Sequence, residues 1–431
     1  MLAAFLVSCR TIPTTLPTTV ASAVSAAVPQ TNAVDATTLD RKLMFGYQGW
    51  FACPGDGSPL QGWEHWFQPP RDAGTRIRVD MWPDVSELDA DERCQTSLAL
   101  PDGRRADLYS AFNPKTVDRH FRWMEQYELP GVFLQRFIVD LENADILAFR
   151  DAVLRNVRSA AESHGRVFAL MYDITGGPRE SLVRRVERDW QYAVDTLHVT
   201  DSPRYLHHRG RPVLAIWGLG FSDRSATADQ AAELVEFFRN NPDPRYRVTL
   251  VGGLPSRWRT LRIDSLRDPQ WARVYRSFDV ISPWTVGRFA DDRSTDRFYA
   301  KEVAHDLAET RRRSIEYMPV VFPGFSWHNL KPESAFNLIP RRGGRFFWRQ
   351  VDAAIARGAT MLYGAMFDEV DEGTAMFKVA ESTRDTAVDA RVVTLDVDGE
   401  PLPSDWYLRL AREAQRALAN ASAPRASSTP R

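Results

Sequence analysis

Residues 131–173 read GVFLQRFIVDLENADILAFRDAVLRNVRSAAESHGRVFALMYD. The stretch opens on one apolar run, Gly131–Phe137, and closes on another, Val167–Asp173. Between them Ile146, Phe149, Val153 and Val157 recur at helical spacing across 143–163. Neither run alternates apolar with polar. A continuous apolar strand, a helix and a second such strand indicate parallel strands covered on both faces.

The same unit repeats in both directions. Further strand candidates are Leu43–Trp50, Pro212–Trp217, Arg247–Gly252, Asp279–Trp284, Tyr317–Phe322 and Thr360–Phe367. Asn113-Pro114 caps a helix whose Val117, Phe121, Met124 and Tyr127 share one face. A last helix, Trp406–Leu418, follows the eighth strand. Eight such units predict an α/β fold, a (β/α)8 TIM-like barrel. Its first βα loop is long, running from Trp50 to Asn113, and a connection of that length is usually functional. A doubly wound open sheet is the alternative. It is disfavoured because no G-x-G-x-x-G follows the first strand and GxxxxGK[ST] is absent.

The chain has 431 residues, 44% hydrophobic, with 55 basic and 56 acidic residues and a net charge of −1. That balance argues against a nucleic-acid partner, and Arg311-Arg312-Arg313 reads as a solvated helix face. No stretch approaches the roughly 20 apolar residues of a membrane span. Met1–Val7 is apolar, and Leu6-Val7-Ser8-Cys9 resembles a bacterial lipobox, although the apolar run is short and no Lys or Arg precedes it. The expectation is export, as a periplasmic or outer-membrane lipoprotein acylated at Cys9 or otherwise as a secreted protein. Membrane contact would come only through that lipid.

Residues 1–38 are then leader and flexible tether, 39–420 the barrel and 421–431 a frayed tail. In an oxidising compartment Cys53 and Cys94 are expected to pair across the first loop, the alternative being two buried thiols.

Barrel chemistry sits at the C-terminal ends of the strands. Those ends carry Tyr47 and Trp50, Gln135 and Arg136, Asp173, Trp284, then Trp327 and His328, with Trp63 and His65 in the first loop. Aromatic faces with amides and carboxylates around one mouth suit a sugar. His120 reads as structural and His207-His208 as an exposed turn beside Arg209 and Arg211. No H-x-H follows the first strand, and H-E-x-x-H and G-x-S-x-G are absent, so no metal and no serine nucleophile is assigned.

The eighth strand ends in Asp368-Glu369-Val370-Asp371-Glu372-Gly373-Thr374. Carboxylates this close raise one another's pKa, which general acid/base chemistry can use. Here the chain resembles glycoside hydrolase families 71 and 99, more closely the family 99 branch. That family carries an E-x-x-E pair in a motif like N-E-W-H-E-G-T. GYQGWF, NPKTVDRHFRWM and GVFLQRF also resemble that branch. The resemblance implies a retaining endo-α-mannosidase-type barrel with no cofactor. Glu369 would deprotonate the sugar 2-hydroxyl and Glu372 would protonate the leaving oxygen. Asp173, Asp368 and Asp371 are read from their positions as further substrate-binding candidates. Asp368, Val370 and Asp371 depart from the motif's Asn, Trp and His. The expected partner is an α-linked oligosaccharide or polysaccharide, an α-mannan first. Two rivals remain at this stage: a non-catalytic glycan-binding lipoprotein on the same barrel, and a metal-dependent hydrolase using Asp368, Asp371 and Asp173.

Overall fold

The computed structural model describes residues 33–69, 74 and 76–421. The lipobox with Cys9, most of the tether and residues 422–431 lie outside the described residues. Among the described residues no helix is long and apolar enough to cross a membrane.

The strands that surround the site are β1 (Leu43–Tyr47), β2 (Gly131–Phe137), β3 (Val167–Asp173) and β4 (Arg211–Trp217). They are followed by β5 (Thr249–Leu254) and β6 (Val280–Pro283). Next come β7, which is the two pieces Glu316–Tyr317 and Val320–Val321, and β8 (Leu362–Gly364). All eight pair in parallel with their neighbours, and β1 lies between β2 and β8. The first piece of β7 pairs with β6 and the second with β8, so the strand order closes on itself through β7. Pro319 interrupts β7 because it has no N–H to give the ladder. Met318 N still donates to Ile281 O at 2.8 Å and Tyr363 N to Pro319 O at 2.9 Å, which holds the break on both sides. Gly131 starts β2 at φ 150°, where an added Cβ would lie 1.8 Å from Val167 O. Only glycine lets β2 and β3 approach there.

The helices form where the caps and apolar periods place them. Asn113 caps α1 (Pro114–Gln126) and Asn143 caps α2 (Ala144–His164), each by accepting backbone N–H groups. Val117, Phe121 and Met124 are fully buried against the barrel, while Tyr127 is half-buried. A third helix, α3 (Leu182–Asp195), packs beside them, and Trp406–Asn420 covers the last gap.

The long first loop is a packed structure of its own. Cys53 and Cys94 form a disulfide with Cα atoms 6.1 Å apart. Arg93–Cys94 pairs with Leu108–Tyr109, and the Trp66 ring lies 4.1 Å from Phe51 and donates its N–H to Tyr109 O at 2.9 Å. Trp63 belongs to this aromatic core, buried edge-on against Phe67, and does not reach the barrel mouth.

At the opposite end of the barrel the His207-His208 reading is corrected. His208 is 3% exposed; its Nδ1 accepts from Leu39 N at 3.1 Å and its Nε2 lies 2.7 Å from Glu316. The pair is a short strand turned back onto β4 rather than an exposed turn. Asp40, His208 and Glu316 come close enough to share a cation. However, a backbone N–H on Nδ1 fixes the proton on Nε2, which donates to Glu316 and leaves no lone pair for a metal.

Candidate active site

Side chains on a strand alternate between the barrel interior and the helix layer. Gly46 faces inward, since an added Cβ would meet Tyr363 and Met366 at 2.2 Å. Tyr47 therefore faces outward, and its hydroxyl bonds His120 Nδ1 on α1 at 2.8 Å. Gln48 faces inward again. On β2, Gln135 points in and donates to Tyr363 Oη at 3.2 Å. Arg136 points out, fully buried, and bridges Asp189 of α3 (2.5 and 2.7 Å) and Asp151 of α2 (3.0 Å). Tyr47 and Arg136 are thus removed from the sugar-contacting set by strand parity, and Gln48 joins it.

The inward residues border a cavity of about 980 Å³ at the C-terminal end of the barrel. That is the upper end of the range for small-molecule sites. Trp50, Gln135, Asp173, Trp284, Trp327, Glu369 and Glu372 all line it. So do Gln48, Phe137 and Trp217, which sequence reasoning did not select. Alternation counted from Gly46 on β1 and from Gln135 on β2 would have found the first two. Trp217 sits opposite Asp173 in the β3–β4 register and packs edge-on against Trp284 at 5.4 Å. His328 is turned away: its Nδ1 lies 2.8 Å from Ser334 O.

The acidic run is clamped as a single turn. Asp80 N and Met81 N, from the first loop, donate to Val370 O at 2.9 and 3.1 Å. Ser326 N donates to Glu372 O at 2.9 Å, and Arg341 donates to Gly373 O at 2.9 Å and Ala375 O at 2.6 Å. Asp80, fully buried, accepts His328 N at 2.8 Å and Asn329 N at 2.7 Å, tying the loop after β7 to the same clamp. Gly373 has φ 62°, and a Cβ there would lie 3.0 Å from Ser326 N, so glycine is required.

Each carboxylate in the run has a different task. Asp368 accepts Gln48 N at 2.7 Å and Gly49 N at 2.9 Å, and so fixes the turn that follows β1. Asp371 lies 3.1 Å from His65 Nδ1 and 3.3 Å from Arg78 Nε. His65 in turn stacks on Trp50 with centroids 3.8 Å apart. Asp368, Asp371 and His65 therefore support the cavity wall from behind. Asp368 and Asp371 face donors, an arrangement that repels a cation, and Asp173 is engaged by Thr175 N at 2.7 Å. This disfavours the metal-dependent alternative.

Glu369 and Glu372 face the cavity. Glu369 is 6% exposed and accepts Gln48 Nε2 at 2.9 Å and Thr374 Oγ1 at 3.0 Å. Glu372 is half-buried. Burial, and then the neighbouring carboxylates, raise both above the usual glutamate range, Glu372 to about 7. Burial also pushes Asp368 and Asp371 up to about 7. Four such groups cannot all ionise together. The two donors on Glu369 stabilise its charged form and act against the upward shift, and of this pair one carboxyl can hold a proton while its neighbour ionises.

The arrangement is a closed parallel barrel with two carboxyl groups, Glu369 and Glu372, facing the cavity at its C-terminal end. No protein-family model matches the chain, and no curated protein does. Solved structures do match. The family 99 endo-α-mannosidase of Bacteroides thetaiotaomicron, in complex with Bis-Tris-propane, superposes with a TM-score of 0.65 at 16% identity, covering 89% of this chain and 99% of that one. A second structure of that enzyme gives the same score over 90% and 100%. A glycoside hydrolase-like protein gives 0.52 at 16% identity over 83% and 97%. At these identities the likeness shows the fold, and the fold of this chain is the family 99-like barrel.

Proposed function

We propose that the protein is a retaining glycoside hydrolase acting on an α-linked glycan, α-mannan-like first, with participation of the substrate 2-hydroxyl. The observation that carries the reading is the placement of Glu369 and Glu372 on one clamped turn, facing one cavity, with Glu369 held by Gln48 and Thr374. Glu369 takes the proton of the 2-hydroxyl. O2 then displaces the leaving oxygen from C1 as Glu372 protonates it, giving a 1,2-anhydro sugar. Water opens that ring with the roles reversed, Glu372 taking the water proton and Glu369 returning one to O2. Two inversions at C1 give net retention.

Backside displacement needs O2 and the leaving group on opposite faces of the ring. α-Mannosides meet that condition and α-glucosides do not, which supports the α-mannan-like choice. The decisive assay is incubation with α-mannans and α-glucans, with the first-formed anomer read by NMR. Release of the α-anomer from mannan supports the reading. Tight binding with no cleavage would instead favour a glycan-binding protein. Export is part of the proposal, supported by the Cys53–Cys94 disulfide, which belongs to an oxidising compartment, and the lipid anchor at Cys9 rests on the Leu6-Val7-Ser8-Cys9 motif alone.

A further inference from the structure

The cavity has a polar floor and an apolar rim. On the floor, Gln48 Oε1 and Trp217 Nε1 are buried without a partner among the described residues, ready for sugar hydroxyls. Around the mouth stand Val139, Ile263 and Leu338, 45%, 73% and 46% exposed. The other exposed large hydrophobics among the described residues, Val388 at 48% and Val397 at 38%, do not line this cavity. Sugar hydroxyls have no use for three solvated aliphatic side chains.

Ile263 is the most informative of the three. It sits at φ 56°, a left-handed conformation that is a steric outlier for a β-branched residue. The next residue pins its loop: Asp264 accepts Ser256 N at 2.9 Å and Arg257 N at 3.1 Å, pairs with Arg288 at 3.0 Å, and its carbonyl accepts Ser222 N at 2.9 Å. A strained, solvated isoleucine is thus held rigidly over the cavity.

Taking the glycosidase reading as its base, we infer that the glycan this cavity accepts carries an aliphatic chain, which the Val139–Ile263–Leu338 rim covers while the sugar occupies the floor. The ligand class is a glycolipid or alkyl glycoside.

The test measures binding of methyl and octyl α-D-mannopyranoside, below the micelle threshold, to Glu372→Gln protein by calorimetry, with turnover of both followed on wild type. Burial of several methylenes predicts at least tenfold tighter binding of the octyl compound. Ile263→Ser with Leu338→Ser should remove that gain and leave methyl mannoside binding unchanged. Methyl and octyl glycosides bound and cleaved alike would overturn the inference and leave the glycosidase reading standing. A rim-dependent octyl gain with no turnover of either glycoside or of α-mannan would keep the inference and overturn the hydrolase. An octyl gain that persists in the serine variant, or serine variants that only change a dimer into a monomer, would also overturn it, the latter assigning the rim to a subunit interface.

Discussion

Gln48 donates its side-chain amide to Glu369 at 2.9 Å, while its own backbone N–H is held by Asp368 at 2.7 Å. The turn after the first strand and the turn after the last are thereby locked to each other across the barrel closure. The amide stabilises the charged form of Glu369, against the burial that raises its pKa. Gln48→Leu removes that donor, so the Glu369 pKa rises further. The acid limb of the kcat/KM profile should move to higher pH, and kcat/KM should fall about 10- to 100-fold, as for loss of a hydrogen bond to a charged group. An unmoved acid limb would count against the role of Glu369 as base.

Asp368→Asn puts the residue of the resembled motif at this position, but here both carboxylate oxygens accept backbone N–H groups. An asparagine must turn its NH₂ toward one of those donors. The variant should lose about 1–3 kcal/mol in urea unfolding, the cost of a buried donor left unsatisfied. Wild-type stability in the variant would show that the turn after β1 does not depend on this carboxylate.

Glu372 has a folded-state pKa near 7, above its unfolded value, because of burial and then Asp371. Between roughly pH 4.5 and 7 the folded state then holds more protons than the unfolded chain, and this group's contribution to stability falls as pH rises. Glu372→Gln removes that loss. Relative to wild type, the variant should gain more than about 1 kcal/mol in unfolding free energy between pH 5 and pH 8. A difference that does not change with pH would mean that Glu372 titrates like a solvated carboxyl.

Full-length protein expressed in a Gram-negative host should partition with membranes, and Cys9→Ala should release it. In the exported protein the Cys53–Cys94 bridge spans 41 residues, and Cys53→Ser should cost about 3–4 kcal/mol by the chain-entropy account. A soluble full-length product with Met1 intact would refute the anchor.

The barrel was legible because its evidence is local. Gly131–Phe137 and Val167–Asp173 are strands over those same residues, and Asn113 and Asn143 cap the helices that follow their positions. Glu369 and Glu372 were legible as a pair at a strand end. The direction of each neighbouring side chain was not. Tyr47 and Arg136 are residue types that suit a sugar, but one step of strand parity sends them to His120 and to Asp151 and Asp189. His208 was misread because its partners, Leu39 and Glu316, lie 169 and 108 residues away. The path of the first loop, which brings Asp80 onto the acidic turn, also rests on contacts distant in sequence.

The central claim is that Glu369 and Glu372 work as base and acid, and it is tested by kcat/KM of each Gln variant on a glycan and on an activated aryl glycoside of the same sugar. Loss of a general acid or base typically costs about 10²–10⁴ in rate. Glu372→Gln should lose that factor on the glycan and keep most of its rate on the aryl glycoside, whose leaving group needs little protonation. Glu369→Gln should lose it on both substrates, because the 2-hydroxyl is no longer deprotonated. Near wild-type turnover of the glycan by both variants would contradict the assignment.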